Sequence, residues 1–89
     1  MKIVKHKLRT SPHTGAVTYS LFTERVAYAN LLPYYLDLQT DGSCFARASV
    51  CGLGAKGEDL WELCPLRRFP TIRQAMAHVK KCLQKYGTL

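Results

Sequence analysis

Apolar side chains near the end of the chain recur at the three-, four- and seven-residue spacing of one helix face. Thr71 and Gln74 match the T-x-x-Q capping box that begins a helix, and Gly87 stands where a left-handed residue often ends one. The pattern therefore predicts an amphipathic helix over residues 71–87. Its apolar stripe consists of Ile72, Ala75, Met76, Val79, Cys82, Leu83 and Tyr86.

Earlier in the chain the spacing of apolar residues is that of strands. Residues 2–9 and 16–22 predict two strands, of which the second is rich in β-branched and aromatic side chains. Residues 11–15 have the composition of a turn. Together these segments predict an N-terminal hairpin.

A second hairpin is predicted around Asp41 and Gly42, and its register has two solutions. A two-residue turn would pair Thr40 with Ser43 and mix polar and apolar side chains on both faces. A three-residue loop pairs Gln39 with Ser43 and separates the two kinds of side chain, so we favour it. One face then carries Tyr34, Leu36, Leu38, Cys44, Ala46, Ala48 and Val50, and the other carries Tyr35, Asp37, Gln39, Phe45, Arg47 and Ser49.

Two connecting segments are ambiguous. Residues 23–33 fit either a short helix, capped by Thr23 and ended by Pro33, or a continuation of the sheet, and we favour the helix. Residues 58–63 fit a helical turn or a short strand, and Cys64-Pro65 ends either one.

These elements predict an α+β fold in a single domain over residues 1–89, an antiparallel sheet of about four strands with the C-terminal helix packed on one face. No apolar run approaches the length of about 20 residues that a membrane span needs, and the N-terminus lacks the apolar core of a secretory signal. We therefore expect a cytoplasmic protein, in the interior of a bacterial or host cell, as a monomer or a homodimer. In the expected core, Leu36, Leu38, Ala46, Ala48 and Val50 meet Ile72, Met76, Val79 and Leu83.

Charge is unevenly distributed along the chain, whose formal net charge is +7. The first ten residues carry four basic side chains and residues 67–89 carry six, whereas all six acids lie between these segments. A segregated basic surface commonly marks binding to nucleic acid or another polyanion through release of counterions. A net charge of this size also serves colloidal solubility, so the charge alone does not decide between the two roles.

Three groups of side chains are candidates for binding. The first covers the flanks and back of the predicted C-terminal helix: Arg73, Lys80, Lys81 and Lys85. The second directly precedes that helix, whose N-terminal N–H groups favour anions: Arg67 and Arg68. The third is an aromatic and guanidinium cluster on the outward face of the second hairpin: Tyr35, Phe45 and Arg47. Such a cluster stacks unpaired bases or anchors a protein interface, unless the N-terminal hairpin covers it as a second core layer.

The remaining polar residues predict no reaction. The four cysteines form no C-x-x-C pair and no histidine lies at zinc-finger spacing, so we expect reduced structural thiols and no metal site. The glycine-rich segment 52–57 lacks a phosphate-loop pattern because Lys56 is followed by Gly57 and not by Ser or Thr. Nothing in the spacing couples a histidine to a cysteine. We expect no enzyme, no catalytic residue, no cofactor and no small-molecule substrate.

The strands followed by a helix that begins F-P-T-x-x-x-A-M, from Phe69 to Met76, resemble the βββα layout of AP2-type and phage-integrase arm-binding domains. The resemblance covers residues 34–86 and implies a helix that backs the sheet while strands contact DNA. In this chain that role would rest on Arg47 with Tyr35 and Phe45.

In size and layout the chain is also similar to small phage proteins of the anti-CRISPR type. We therefore hypothesise a non-enzymatic basic module that engages nucleic acid or a nucleoprotein complex. The alternative is a phage-encoded inhibitor that contacts a host defence complex by protein–protein contact, with the aromatic face or the acids Glu58, Asp59 and Glu62 as anchor.

Overall fold

Each strand of the protein pairs with its neighbour in sequence, so that the sheet has the same order as the chain. The computed structural model describes residues 2–23 and 31–87. All pairs are antiparallel, and α2 packs on one face of the sheet, which confirms the α+β prediction. The elements are β1 (Ile3–Thr10), β2 (Val17–Thr23), β3 (Leu31–Leu38), β4 (Cys44–Ala48), α1 (Leu60–Leu63), β5 (Arg67–Phe69) and α2 (Ile72–Lys85).

The hairpin of β3 and β4 has the favoured register. The backbone N–H of Gln39 donates to the carbonyl of Ser43 at 2.8 Å, and Gly42 adopts a left-handed φ of 91°. Pairing then continues as predicted, with Leu38 opposite Cys44 and Tyr35 opposite Arg47. The separation of apolar from polar side chains was therefore sufficient to select the register.

Helix α2 begins and ends where the sequence predicts. The Thr71 hydroxyl accepts the backbone N–H of Gln74 at 3.3 Å, and Gly87 follows the helix with a φ of 71°. Residues 58–63 resolve as a helical turn, α1, because the Asp59 carboxylate accepts the N–H of Trp61 and caps it. Within the described residues, neither helix is long and apolar enough to cross a membrane.

The core lies between one sheet face and the two helices. Its fully buried side chains include Leu21, Tyr34 and Leu36 from the sheet, with Val79 and Leu83 from α2. The small residues of β4 line the area under α2 and are buried. Leu38, Ile72 and Met76 pack at the border of the core and are only partly buried.

Two expectations about local structure were wrong. Val50 does not join the core, because β4 ends at Ala48 and the Val50 side chain is 74% exposed. The predicted helix over residues 23–33 is wrong at its C-terminal end, since Pro33 lies inside β3. The interior of that segment, residues 24–30, lies outside the described part of the chain.

Candidate nucleic-acid interface

The outer surface of α2 carries four exposed cations. The helix turns its apolar stripe toward the sheet, with Ala75, Val79, Cys82 and Leu83 buried. The four cations lie at exposed positions of the helix, and none of them makes an ion pair within the described part of the chain. These cations are Arg73, Lys80, Lys81 and Lys85.

Two strand residues extend this charge beyond the helix. Lys5 of β1 lies with Arg73 around one shallow depression beside the start of α2. Arg67 of β5 lies with Lys81 and Lys85 around a groove on the opposite flank. Because residues opposite each other in a sheet share a face, the pairing of Lys5 with Leu21 and of Arg67 with Ala46 places both cations on the α2 side. We call this the helix-side basic surface: Lys5, Arg67, Arg73, Lys80, Lys81 and Lys85.

The field of this surface is evident at His78, which lies on α2 between the core and the cations. Burial lowers the pKa of the His78 imidazole below its ordinary value of 6.5, and the nearby charges of Arg67 and Lys81 lower the pKa further. The ring packs against Phe69 with a centroid separation of 5.0 Å. The imidazole is therefore neutral at pH 7.

The opposite sheet face, which we call the open face, includes Phe22, Tyr35, Phe45 and Arg47, and none of these belongs to the hydrophobic core. The N-terminal hairpin does not cover this face, because β1 and β2 extend the same sheet. The predicted outward position of Tyr35, Phe45 and Arg47 is thus confirmed, and the second-layer alternative is wrong.

The charge of Arg47 on the open face is neutralised by a carboxylate. The Arg47 guanidinium lies 4.8 Å from the Tyr35 ring centroid, as the predicted cluster requires. Its Nε also donates to the Asp37 carboxylate at 2.7 Å, and the Thr18 hydroxyl donates to the other oxygen of Asp37 at 2.7 Å. Arg47 is consequently held in a structural ion pair and offers little net charge to a partner.

Arg67 and Arg68 do not act together at the entrance of α2. They lie on β5, a strand that the sequence analysis did not predict, and so they point to opposite sides of the sheet. Arg67 faces the α2 side, whereas Arg68 donates to Asp41 at 3.1 Å on the open face. The pKa of Asp41 is lowered mainly by the hydroxyl and the backbone N–H of Ser43, with a smaller effect from Arg68.

The groove beside β5 was not foreseen. It has a volume of about 370 Å³ and lies between the segment that links α1 to β5 and the C-terminal half of α2. A short apolar segment after a helical turn gives little sign of a groove, because the groove depends on how the segment packs against α2. Its lining consists of Leu63, Cys64, Pro65, Leu66, Arg67, His78, Lys81, Cys82, Lys85 and Tyr86.

The thiols in this region are packing groups. The Sγ of Cys82 lies 3.5 Å from Nε2 of His78, a contact that the four-residue spacing on a helix could have predicted and that the sequence analysis missed. Burial, with a further effect of Cys64, raises the pKa of Cys82 to about 12. Burial likewise raises the pKa of Cys44 to about 11. Both thiols are protonated at neutral pH and are poor nucleophiles. Among the described residues, no group of three or more Cys, His, Asp or Glu side chains is arranged to hold a metal ion.

Two of the acidic side chains near α1 have local structural roles. The Glu58 carboxylate accepts the backbone N–H of Lys56 at 2.7 Å, and the Asp59 carboxylate caps α1. The carboxylates thus stabilise the glycine-rich connection after β4, which forms a turn as expected.

Comparison with known proteins gives no match to this chain, whether with protein-family models, with curated proteins or with solved structures.

Proposed function

We propose that this protein is a non-enzymatic binding module that engages nucleic acid, or a complex that contains nucleic acid, through the helix-side basic surface. One observation carries the proposal: among the described residues, the ion pairs involve cations of the open face and none of the helix-side basic surface. Arg47 and Arg68 of the open face are tied to carboxylates, whereas the helix-side cations make no ion pair with a described acid. Cations without carboxylate partners are the ones that phosphates can engage without breaking an internal ion pair.

The physical mechanism is neutralisation of phosphates by exposed side chains. Each phosphate contact releases condensed counterions, so affinity falls as salt rises, with a logarithmic slope of about −0.9 per contact on duplex DNA and about −0.7 on single strands. The helix-side cations come from β1, β5 and both flanks of α2, and they surround a convex helix that a backbone can follow. This arrangement favours backbone contacts, which fix orientation without reading sequence.

The test is binding measured across a salt series. Fluorescence anisotropy with labelled single- and double-stranded DNA and RNA gives the dissociation constant at each salt concentration. We expect binding at low salt with a steep negative slope of log affinity against log salt. Absence of binding to all four probes at low salt would remove the proposal.

Charge reversal locates the surface. Lys80→Glu with Lys81→Glu alters the helix side, and Arg9→Glu with Arg68→Glu alters the open face, where Arg9 pairs with Thr18. All four residues are exposed, and each pair lowers the net charge by the same amount. We expect the first pair to weaken binding strongly and to reduce the salt slope by about one unit per lost contact, whereas the second pair has a small effect. Equal losses would mean that net charge alone governs binding.

A second candidate function, inhibition of a host defence complex by protein–protein contact, is favoured by the apolar side chains of the open face. Val4 and Leu31 are 40% and 59% exposed on either side of Phe22, and exposed apolar groups beside each other are typical of protein interfaces. In cells with an active CRISPR system, survival of a targeted phage would then depend on this protein. Val4→Ser with Leu31→Ser would abolish that protection, while Lys80→Glu with Lys81→Glu would leave it intact.

A further inference from the structure

The groove beside β5 combines an apolar floor with a cationic rim. Leu63, Leu66 and Tyr86 contribute apolar surface, and Leu63 and Leu66 are 43% and 53% exposed. Arg67 stands on the β5 side, and Lys81 and Lys85 stand on the α2 side. Among the residues that the structure describes, its lining includes no acidic side chain. A volume of about 370 Å³ lies within the range of roughly 300–1,000 Å³ that small organic groups occupy in proteins.

This combination constrains the chemistry of an occupant. The floor suits a flat apolar body, and cations on two sides suit anions on both sides of that body. His78 in the lining packs against Phe69 and adds a further ring to the groove, so the interior suits a flat ring with polar groups at its edge. One nucleotide of a single strand has this form, with an uncharged base and a phosphate on either side of it.

We propose that the groove seats an unpaired base of single-stranded nucleic acid, with Arg67 engaging one flanking phosphate and Lys81 and Lys85 the other. This rests on the proposed nucleic-acid binding function and adds a preference for single strands. A paired base is stacked inside its duplex and cannot enter the groove, so a duplex can use only the cations.

The experiment compares two single strands that differ only in their bases, together with a duplex. Wild-type protein is titrated with a short oligothymidylate, with an abasic strand that has the same number of phosphates, and with a duplex of the same length. We expect the oligothymidylate to bind roughly 5- to 100-fold more tightly than the abasic strand at equal salt. The salt slopes of these two probes are expected to agree, because both present the same phosphates.

A matched pair of variants tests whether the preference for bases over the abasic strand arises in the groove. Leu66→Ser removes exposed apolar surface from the floor, and Leu53→Ser removes an equally exposed leucine outside the groove. Neither side chain is buried, so both variants are expected to keep the wild-type melting temperature, which thermal unfolding checks. We expect Leu66→Ser to abolish the preference for bases over the abasic strand and Leu53→Ser to retain it.

The outcomes separate this inference from the function on which it rests. Absence of binding to any strand at low salt contradicts the proposed function itself. Equal binding of the oligothymidylate and the abasic strand contradicts only the proposal that the groove binds a base, and it leaves backbone binding in place. An acidic peptide with an aromatic residue is the remaining probe. If Leu66→Ser weakens binding of this peptide while the bases have no effect on the affinity for the strand, the groove is a peptide site. The proposal that it binds a base is then wrong.

Discussion

At the scale of single residues, two arginine–aspartate pairs of similar geometry differ in their surroundings. Arg47 and Asp37 have side chains only 27% and 19% exposed, and Thr18 completes their network. Arg68 and Asp41 are 59% and 61% exposed. Solvent screens the second pair, and a screened pair contributes little to folding.

We therefore predict that Arg47→Ala destabilises the protein by about 1–3 kcal/mol, because the half-buried Asp37 loses its charged partner. Arg68→Ala is the matched control and is expected to leave stability unchanged. Urea denaturation of the two variants provides the measurement. Similar losses in both would show that the Arg47 pair is no better protected from solvent than the surface pair.

The lowered pKa of His78 leads to a second prediction at this scale, which concerns the pH dependence of stability. Its folded pKa lies below 6.5, so the unfolded chain takes up a proton first as pH falls. Stability present above pH 6.5 is therefore lost as pH falls from 6.5 toward the folded pKa. Urea denaturation over this window is expected to have a smaller pH dependence in His78→Gln than in the wild type.

Binding of an oligonucleotide is expected to raise the pKa of His78, because phosphates offset the charges of Arg67 and Lys81. Proton NMR titration of the histidine ring with and without an oligothymidylate measures this pKa. A pKa of His78 that does not move on saturation would place the bound strand away from the groove.

At the scale of elements, the start of α2 depends on one side chain. The Thr71 hydroxyl satisfies an N–H group that would otherwise have no partner in the first turn. Thr71→Ala is expected to lower the free energy of unfolding by about 1 kcal/mol, whereas Thr71→Ser retains the hydroxyl and most of the stability. The midpoints of urea denaturation compare the two. A wild-type midpoint for the alanine variant would mean that packing alone defines the helix start.

The sequence predicted the elements whose signals are local and repeated. The stripe on α2, its cap and the register of β3 with β4 each rest on several residues that agree. β5 escaped prediction because it has three residues, ends beside Pro70 and is a strand only through pairing with β4. The helix end predicted at Pro33 was wrong for a similar reason, since pairing with β2 places Pro33 inside a strand.

The candidate site was predictable in composition but less so in geometry. Spacing on α2 was sufficient to place Lys80 and Lys81 outside the core. To predict that Arg67 and Arg68 lie on opposite faces, one must know that β5 is a strand. To predict that Arg47 is neutralised, one must know the side-chain contacts of Asp37. Long-range pairing of this kind leaves no periodic signal in the sequence.

At the scale of the whole molecule, the helix side and the open face differ in electrostatic character, which has a consequence for association rates. Under the proposed function, the positive field of the helix-side basic surface is expected to steer a polyanion toward α2, so that the association rate falls steeply with ionic strength while the dissociation rate changes less. Stopped-flow mixing with a labelled oligonucleotide is expected to give a fall of about tenfold or more in the association rate between low and high salt. A rate that is insensitive to salt would contradict steering by this surface.

The agreement between the order of strands in the sheet and their order in the chain bears on how the molecule reaches its native state. From β1 to β4 each strand meets its partner across a short connection, whereas β5 joins β4 across residues 49–66, which include α1. Chains with many short-range contacts lose less entropy before native contacts form, and they fold faster than sheets of crossed topology. The first four strands can thus assemble in sequence, one hairpin upon the next, before β5 and α2 complete the fold.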